Sequence, residues 1–220
     1  MVRVKICGIK RMEDAFSAIR WGADALGFLV GQRHTSGDFI EAALAREIIL
    51  RLPPFVSKVL VTHLLRAEEV LKLVDETCVD TVQLHGEIQP DQVREIRQRR
   101  AHLRILKSFH IVDEASVEYG LPYYAHVDAF VLDSLNAETG EIGGTGLVHD
   151  WAISRRVVSR YPIPIILAGG LNPENIREAI ERVKPYGIDV NSGVKGASGF
   201  KDHAKVHAFI EGAKSAFALA

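Results

Sequence analysis

The chain has only two cysteines in 220 residues, Cys7 and Cys78. They lie far apart and form neither a CxxC pair nor a metal-finger spacing, which excludes a disulfide framework and a zinc-ribbon module. A surplus of either charge is missing too. Lys and Arg number 27 against 28 Asp and Glu, a formal net charge of −1. That balance argues against a protein whose main business is electrostatic binding to nucleic acid or to a membrane surface. No apolar run approaches ~18 residues, so no transmembrane helix and no membrane partner are expected. The opening stretch Met1-Val2-Arg3-Val4-Lys5-Ile6 alternates polar and apolar residues and lacks the long apolar core of a secretory signal. The expected compartment is therefore the cytoplasm. There is no low-complexity linker and no exact internal repeat.

What the chain does have is a core-forming composition, 47% hydrophobic and 25% charged, that of a globular protein with a substantial interior. Short runs rich in Val, Ile and Leu read as buried strands. They cover residues 2–6, 23–29, 56–61, 81–84, 103–106, 129–132, 163–167 and 188–190. Between them lie charged segments with apolar residues three or four apart, the mark of amphipathic helices. These cover residues 12–21, 40–51, 66–76, a stretch opened by Pro90, 113–124, 148–160, 173–183 and 202–217. Gly120 and Pro122 interrupt the fifth of them. Eight strand–helix units at about 27 residues each come close to the ~30 of a βα repeat. Regular alternation implies a parallel sheet, and eight units close most economically into a (β/α)₈ barrel, one α/β domain spanning residues 1–220. A doubly wound open sheet is the alternative. It lacks support from a GxGxxG turn after the first strand.

In such a barrel the chemistry sits at the C-terminal ends of the strands. Three glycine-rich loops fall there: Gly143-Gly144-Thr145-Gly146, Gly169-Gly170 and Ser192-Gly193. Glycine lets backbone N–H groups approach an anion closely, so the three together point to a phosphate site; singly, each is also a plain tight turn, and Thr145 and Ser192 are also good helix caps. Cys7 ends the first strand, where it is either a lining thiol or a base that needs its thiolate stabilised. Cys78 precedes the fourth strand and reads as a small buried core residue. Asp133 follows the apolar run Phe130-Val131-Leu132, a setting that raises a carboxyl pKa and suits a general acid. His63 and His85 read as polar lining, acid–base groups or, with Asp133, ligands to a divalent ion. Lys107 is a candidate for a Schiff base.

The motifs Lys5-Ile6-Cys7-Gly8-Ile9, Ala25-Leu26-Gly27-Phe28, Val82-Gln83-Leu84-His85-Gly86 and Leu132-Asp133-Ser134 occur in order with two more, Leu167 to Asn175 and Gly187 to Val194. Together they resemble phosphoribosylanthranilate isomerase, the (β/α)₈ family of tryptophan biosynthesis, from the first strand to the last helix. The resemblance implies an Amadori rearrangement of an N-glycosylamine on ribose phosphate, with Cys7 as base and Asp133 as acid. It implies a phosphate held by Gly144, Thr145, Gly146, Gly169, Gly170, Ser192 and Gly193, and a substrate contacted by Arg33, Gln83 and His85. No metal and no organic cofactor are implied. The partner is a phosphorylated sugar derivative, and the chain is a monomer or homodimer. The sequence departs from the family at Ser36, where family members usually carry the arginine for the anthranilate carboxylate, at Asn191 in place of Ser, and at Lys195 in place of Glu. Arg33 is the nearby candidate for the missing arginine. These departures leave open a related isomerase, or a binding protein, for another ribose phosphate.

Overall fold

The computed structural model describes residues 1–32, 37–134 and 149–216. Eight strands close into one parallel barrel in the order of the sequence. They are β1 (Arg3–Ile6), β2 (Ala25–Leu29), β3 (Ser57–Thr62), β4 (Thr81–Leu84), β5 (Arg104–Ile111), β6 (Ala129–Ser134), β7 (Ile165–Leu167) and β8 (Gly187–Val190). The helices are α1 (Met12–Trp21), α2 (Ala42–Ile49), α3 (Ala67–Thr77), α4 (Pro90–Arg99), α5 (Trp151–Arg160), α6 (Ile176–Val183) and α7 (His203–Ser215). The expected helix over residues 113–124 is only a short 3₁₀ turn, Glu114–Glu118. Gly120 explains part of this: a side chain there would run into the Phe130 and Tyr161 rings, so the segment stays as turns packed tightly against β6.

Strand alternation divides the residues into two sets. One set points outward and packs under the helices: Val4, Ile6, Leu26, Phe28, Leu60, Val82, Leu84, Ile105, Phe130, Leu132 and Ile188 belong to one continuous cluster with the helix faces. The α6 face is typical, with Ile176, Ala179, Ile180 and Val183 buried at positions that repeat every turn. Burying a side chain the size of Phe130 contributes about 2–3 kcal/mol. The other set points into the lumen, where Cys7, Leu29, Val59, Val61, Leu106, Ala129, Val131 and Ala168 form a second, smaller cluster.

Caps set the helix ends. Asp202 accepts from the Ala204 and Lys205 N–H groups at the start of α7, and Asp150 from Ala152 at the start of α5. Pro90 opens α4. At the N-terminal end of the barrel an aspartate immediately precedes every second strand up to β6. Asp24 accepts from the Val4 N–H at 2.9 Å and Asp80 from the Lys58 N–H at 3.1 Å. Asp128 accepts from the Ile105 N–H at 2.8 Å. Each carboxylate thus ties its strand to the one before it, and Arg3, Lys58, Arg97 and Arg104 neutralise the charge.

Candidate active site

The lumen toward the C-terminal ends of the strands holds the polar groups. Lys5 and Cys7 are two residues apart on β1 and face the same way; Asp189 and Asn191 do so at β8, and the β1–β8 register sets Lys5 beside Asp189. Lys5 Nζ lies 2.7 Å from Asp189 Oδ2, and both side chains are buried. Burial would strip the Lys5 proton, but Asp189 and the Cys7 sulfur hold the ammonium above its ordinary range. Cys7 is pushed up by burial, with Lys5 and Lys201 opposing and Asp189 reinforcing.

Gly27 on β2 makes this arrangement possible. A Cβ there would stand 2.7 Å from the Cys7 sulfur and 3.1 Å from Lys5 Cε. The absent side chain leaves the space that the thiol and the lysine stem share.

Asp133 lies at the far end of β6 with its side chain 13% exposed. Burial raises its pKa to about 6, against the Ser134 N–H bonded to Oδ1 at 2.8 Å; Asp189 adds to the rise and Lys5 opposes it. His85 Nε2 is 3.8 Å from Asp133 Oδ2, beyond hydrogen-bonding reach. Burial and the neighbouring His63 and His110 rings hold His85 well below the ordinary histidine range, so it is neutral and gives Asp133 no cationic partner. The three rings pack edge to face, with centroids 5.0 Å apart for His63–His85 and 5.9 Å for His85–His110. They form a wall over the ends of β3, β4 and β5. No group of three or more His, Cys, Asp or Glu side chains among the described residues is placed to hold a metal ion. Gln83 lies deeper in the lumen, its Nε2 donating to Ser108 Oγ at 3.0 Å.

The loops after β7 and β8 meet. Gly169 and Gly170 both have positive φ, +77° and +66°. A Cβ on Gly169 would strike the Ser134 backbone nitrogen, and one on Gly193 would fall 2.0 Å from the Leu171 carbonyl oxygen. Both positions need glycine because backbone passes against backbone. Asn172 accepts from the Glu174 and Asn175 N–H groups, and Asn175 Nδ2 donates to the Gly170 carbonyl at 2.9 Å, which stiffens the turn. Arg33, Gly144, Thr145 and Gly146 lie outside the described residues.

On the same rim Asp38 pairs with two lysines, and Asn191 links it to a third. Lys195 Nζ is 2.5 Å from Asp38 Oδ2 and Lys10 Nζ is 4.0 Å from Oδ1. Asn191 Nδ2 donates to Asp38 at 2.9 Å, while Lys201 Nζ donates to Asn191 Oδ1 at 2.8 Å. Burial would raise Asp38, but Lys195 and Asn191 hold it below the usual carboxylate range. Lys201 is pushed down to about 8 by burial, with Cys7 and Asp38 opposing.

Two expectations need correction. Lys107 does not reach the mouth: β5 runs on to Ile111, and Lys107 points outward, fully buried, over the Tyr119 and Tyr123 rings. Burial lowers it to about 8. Cys78 is no core residue. It is exposed at the C-cap of α3 in the left-handed region, φ +59°, with Arg46 Nη1 at 2.5 Å from its sulfur. The strand interiors also hold polar groups, with Lys5, Gln83, Ser108 and Asp189 buried within them. Reading only the residues after each strand misses Lys5 and Asp189; the two-residue period, which puts Lys5 on the face of Cys7, is the signal that finds them.

A closed parallel barrel whose polar lumen is gathered at the C-terminal mouth, beside two interlocked glycine turns, defines a (β/α)₈ barrel of the enzyme class. Residues 4–212 match the family model for N-(5'-phosphoribosyl)anthranilate isomerase. A Methanosarcina mazei protein named N-(5'-phosphoribosyl)anthranilate isomerase 2 is 48% identical over 98% of this chain and 96% of its own. A Methanocella arvoryzae isomerase of the same name is 41% identical over 96% of this chain and 97% of its own. Among solved structures, phosphoribosyl anthranilate isomerase from Thermotoga maritima superposes with a TM-score of 0.85 at 37% identity, covering 98% of this chain and all of that one. An isomerase solved with reduced 1-(o-carboxyphenylamino)-1-deoxyribulose 5-phosphate gives 0.83 at 36% identity, covering 98% of this chain and 100% of that one. The chain belongs to the N-(5'-phosphoribosyl)anthranilate isomerase family.

Proposed function

We propose that the chain catalyses the Amadori rearrangement of N-(5'-phosphoribosyl)anthranilate to its 1-deoxyribulose 5-phosphate derivative, with Asp133 as acid and Cys7 as base. One observation carries the assignment: Cys7, just past the end of β1, and Asp133, at the end of β6, both stand at the C-terminal mouth of the lumen, where each also feels the charges of the buried Lys5–Asp189 pair. The acid and the base therefore open onto the same end of the lumen. Asp133 gives its proton to the ring oxygen, and the nitrogen lone pair opens the ring to a protonated imine. Cys7 then takes the C2 proton, and the electron pair of that bond moves to leave an enolamine. Transfer of the enol proton to C1 completes the aminoketose, so no atom or electron is gained or lost. The pKa of about 6 at Asp133 keeps a useful fraction protonated near neutral pH.

The phosphate belongs against Gly169, Gly170, Ser192 and Gly193, supported by the meeting of those loops, with Gly144, Thr145 and Gly146 as further donors. The histidine wall with His85 and the Gln83 amide would face the aromatic ring and sugar, and Arg33 its carboxylate. In this reading residues 1–220 act as one domain in the cytoplasm on a phosphorylated sugar derivative. No described helix is long and apolar enough to cross a membrane. Between monomer and homodimer we favour the homodimer. Phe55 stands fully exposed with φ +69° on the rim of a cavity of about 560 Å³ at the N-terminal end of the barrel. Light scattering decides between the two.

The test is turnover of the anthranilate compound, followed by loss of its fluorescence, in Cys7→Ser and Asp133→Asn. Each is expected to lose about 10²- to 10⁴-fold in kcat while keeping its fold. Near-normal turnover in either removes the role assigned to it. No turnover by the unaltered chain, with ribulose phosphates still bound, would transfer the site to another ribose-phosphate substrate.

A further inference from the structure

The Lys5–Asp189 pair has no part in the proton transfers just described, and it is costly to build. Two opposite charges buried in a lumen seldom stabilise a fold relative to apolar residues of the same size. One oxygen of the pair, Asp189 Oδ1, is buried with no hydrogen-bond partner. Gly27 leaves room for the Lys5 stem and the Cys7 sulfur to flank one point. β1 carries the lysine and the thiol on one face, and β8 carries the carboxylate in register. The arrangement therefore holds an ammonium group next to the sulfur.

We propose that Lys5, held by Asp189, is the positioning residue that supplies positive charge to the Cys7 sulfur when the thiol gives up its proton, with Asp189 limiting how much of that charge the sulfur feels. The proposal rests on the reading of Cys7 as the base. The charged groups that face Cys7 are Lys5 from its own strand, Asp189 from β8 and Lys201 from the segment ahead of α7. Asp133 on β6 faces the same ion pair, and β2 contributes only Gly27. Lys201 is engaged by the Asn191 backbone and side-chain oxygens at 2.9 and 2.8 Å. Lys5 is thus the cation whose partner is set to tune the thiol.

The two members of the pair act with opposite sign. Removing the ammonium disfavours the thiolate. Removing the carboxylate takes away a like charge and frees the ammonium for the sulfur. The experiment is the pH dependence of Cys7 alkylation by iodoacetamide, followed by peptide mass spectrometry so that the exposed Cys78 is counted separately. Lys5→Met is expected to raise the midpoint by about one pH unit or more and Asp189→Asn to lower it, each unit being a tenfold change in thiolate below the midpoint. The double variant is expected between the two, and it stays informative where Lys5→Met alone, which strands a buried carboxylate, fails to fold. Midpoints that stay put, or that move the same way in Lys5→Met and Asp189→Asn, overturn the proposal. Because alkylation reads the sulfur directly, full activity in Cys7→Ser would remove the base assignment and leave this result standing.

Discussion

Asp128 and Asp133 stand at the two ends of β6, five residues apart, and the barrel treats them in opposite ways. Asp128 is saturated: it accepts from the Ile105 N–H at 2.8 Å, from Arg97 at 2.5 Å and from Arg104 at 3.1 Å. Burial would raise it, but that N–H and Arg97 hold it below the ordinary carboxylate range. Asp133 is buried, accepts among the described residues a hydrogen bond from the adjacent Ser134 N–H, and rises to about 6. One end of the strand uses a carboxylate to hold two strands together, and the other holds one whose pKa burial has raised. Conserving stability at the bottom of the barrel and reactivity at the top is the general division of labour in this fold.

The strongest way to break the comparison is through the reaction. The pH profile of kcat/KM is expected to carry a limb near pH 6 on which activity falls as pH rises, tenfold per unit above it as Asp133 loses its proton, and Asp128→Asn leaves that limb in place. A limb unmoved from that of an ordinary carboxylate near ~4 would contradict the assignment of Asp133 as the acid. Next comes stability. Asp128→Asn is expected to destabilise the fold by about 1–3 kcal/mol, since two arginines lose their charged partner, with kcat unchanged. Chemical denaturation together with steady-state kinetics separates the two effects.

The signs of the pH dependence differ as well. Asp128, with its folded pKa depressed, contributes stability that is present above the unfolded value of ~3.9 and is lost as pH falls through its folded value. Asp133, with its folded pKa raised, binds more protons folded than unfolded between ~4 and about 6, so its contribution to stability falls as pH rises through that window. Asp133→Asn removes that loss and is expected to raise Tm at pH 8, by the equivalent of about 1–3 kcal/mol, in the variant that has lost its activity. A fall in Tm would show the carboxylate to be structural. The smallest effect is expected for Asp80, the partner of Lys58 at the bottom of β4. Its side chain is 47% exposed, and Asp80→Asn is expected to cost under about 1 kcal/mol.

Much of this was legible in advance. Eight apolar runs and the amphipathic segments between them were enough to count the strands, because parallel strands buried on both faces read as continuous Val, Ile and Leu. Cys7 and Asp133 stood out because they end such runs, and the glycine turns because backbone must pass close there. The misreadings share a cause. Lys107 looks like a strand-end residue only if β5 stops at Leu106; the strand continues because Phe109 and Ile111 are also buried. Cys78 was assigned to the core by its hydrophobic character, but its place is the left-handed cap of α3, a position set by the backbone turn.

The sequence by itself determined the alternation, the parallel barrel and the end of it where chemistry belongs, since these follow from local periodicity and chain geometry. Only the tertiary structure decided which distant groups share a volume. Lys5 and Asp189 are 184 residues apart and meet only because β8 closes against β1. The opposite behaviours of Asp128 and Asp133 depend on desolvation and on partners from neighbouring strands, quantities that no stretch of sequence carries until the barrel is closed.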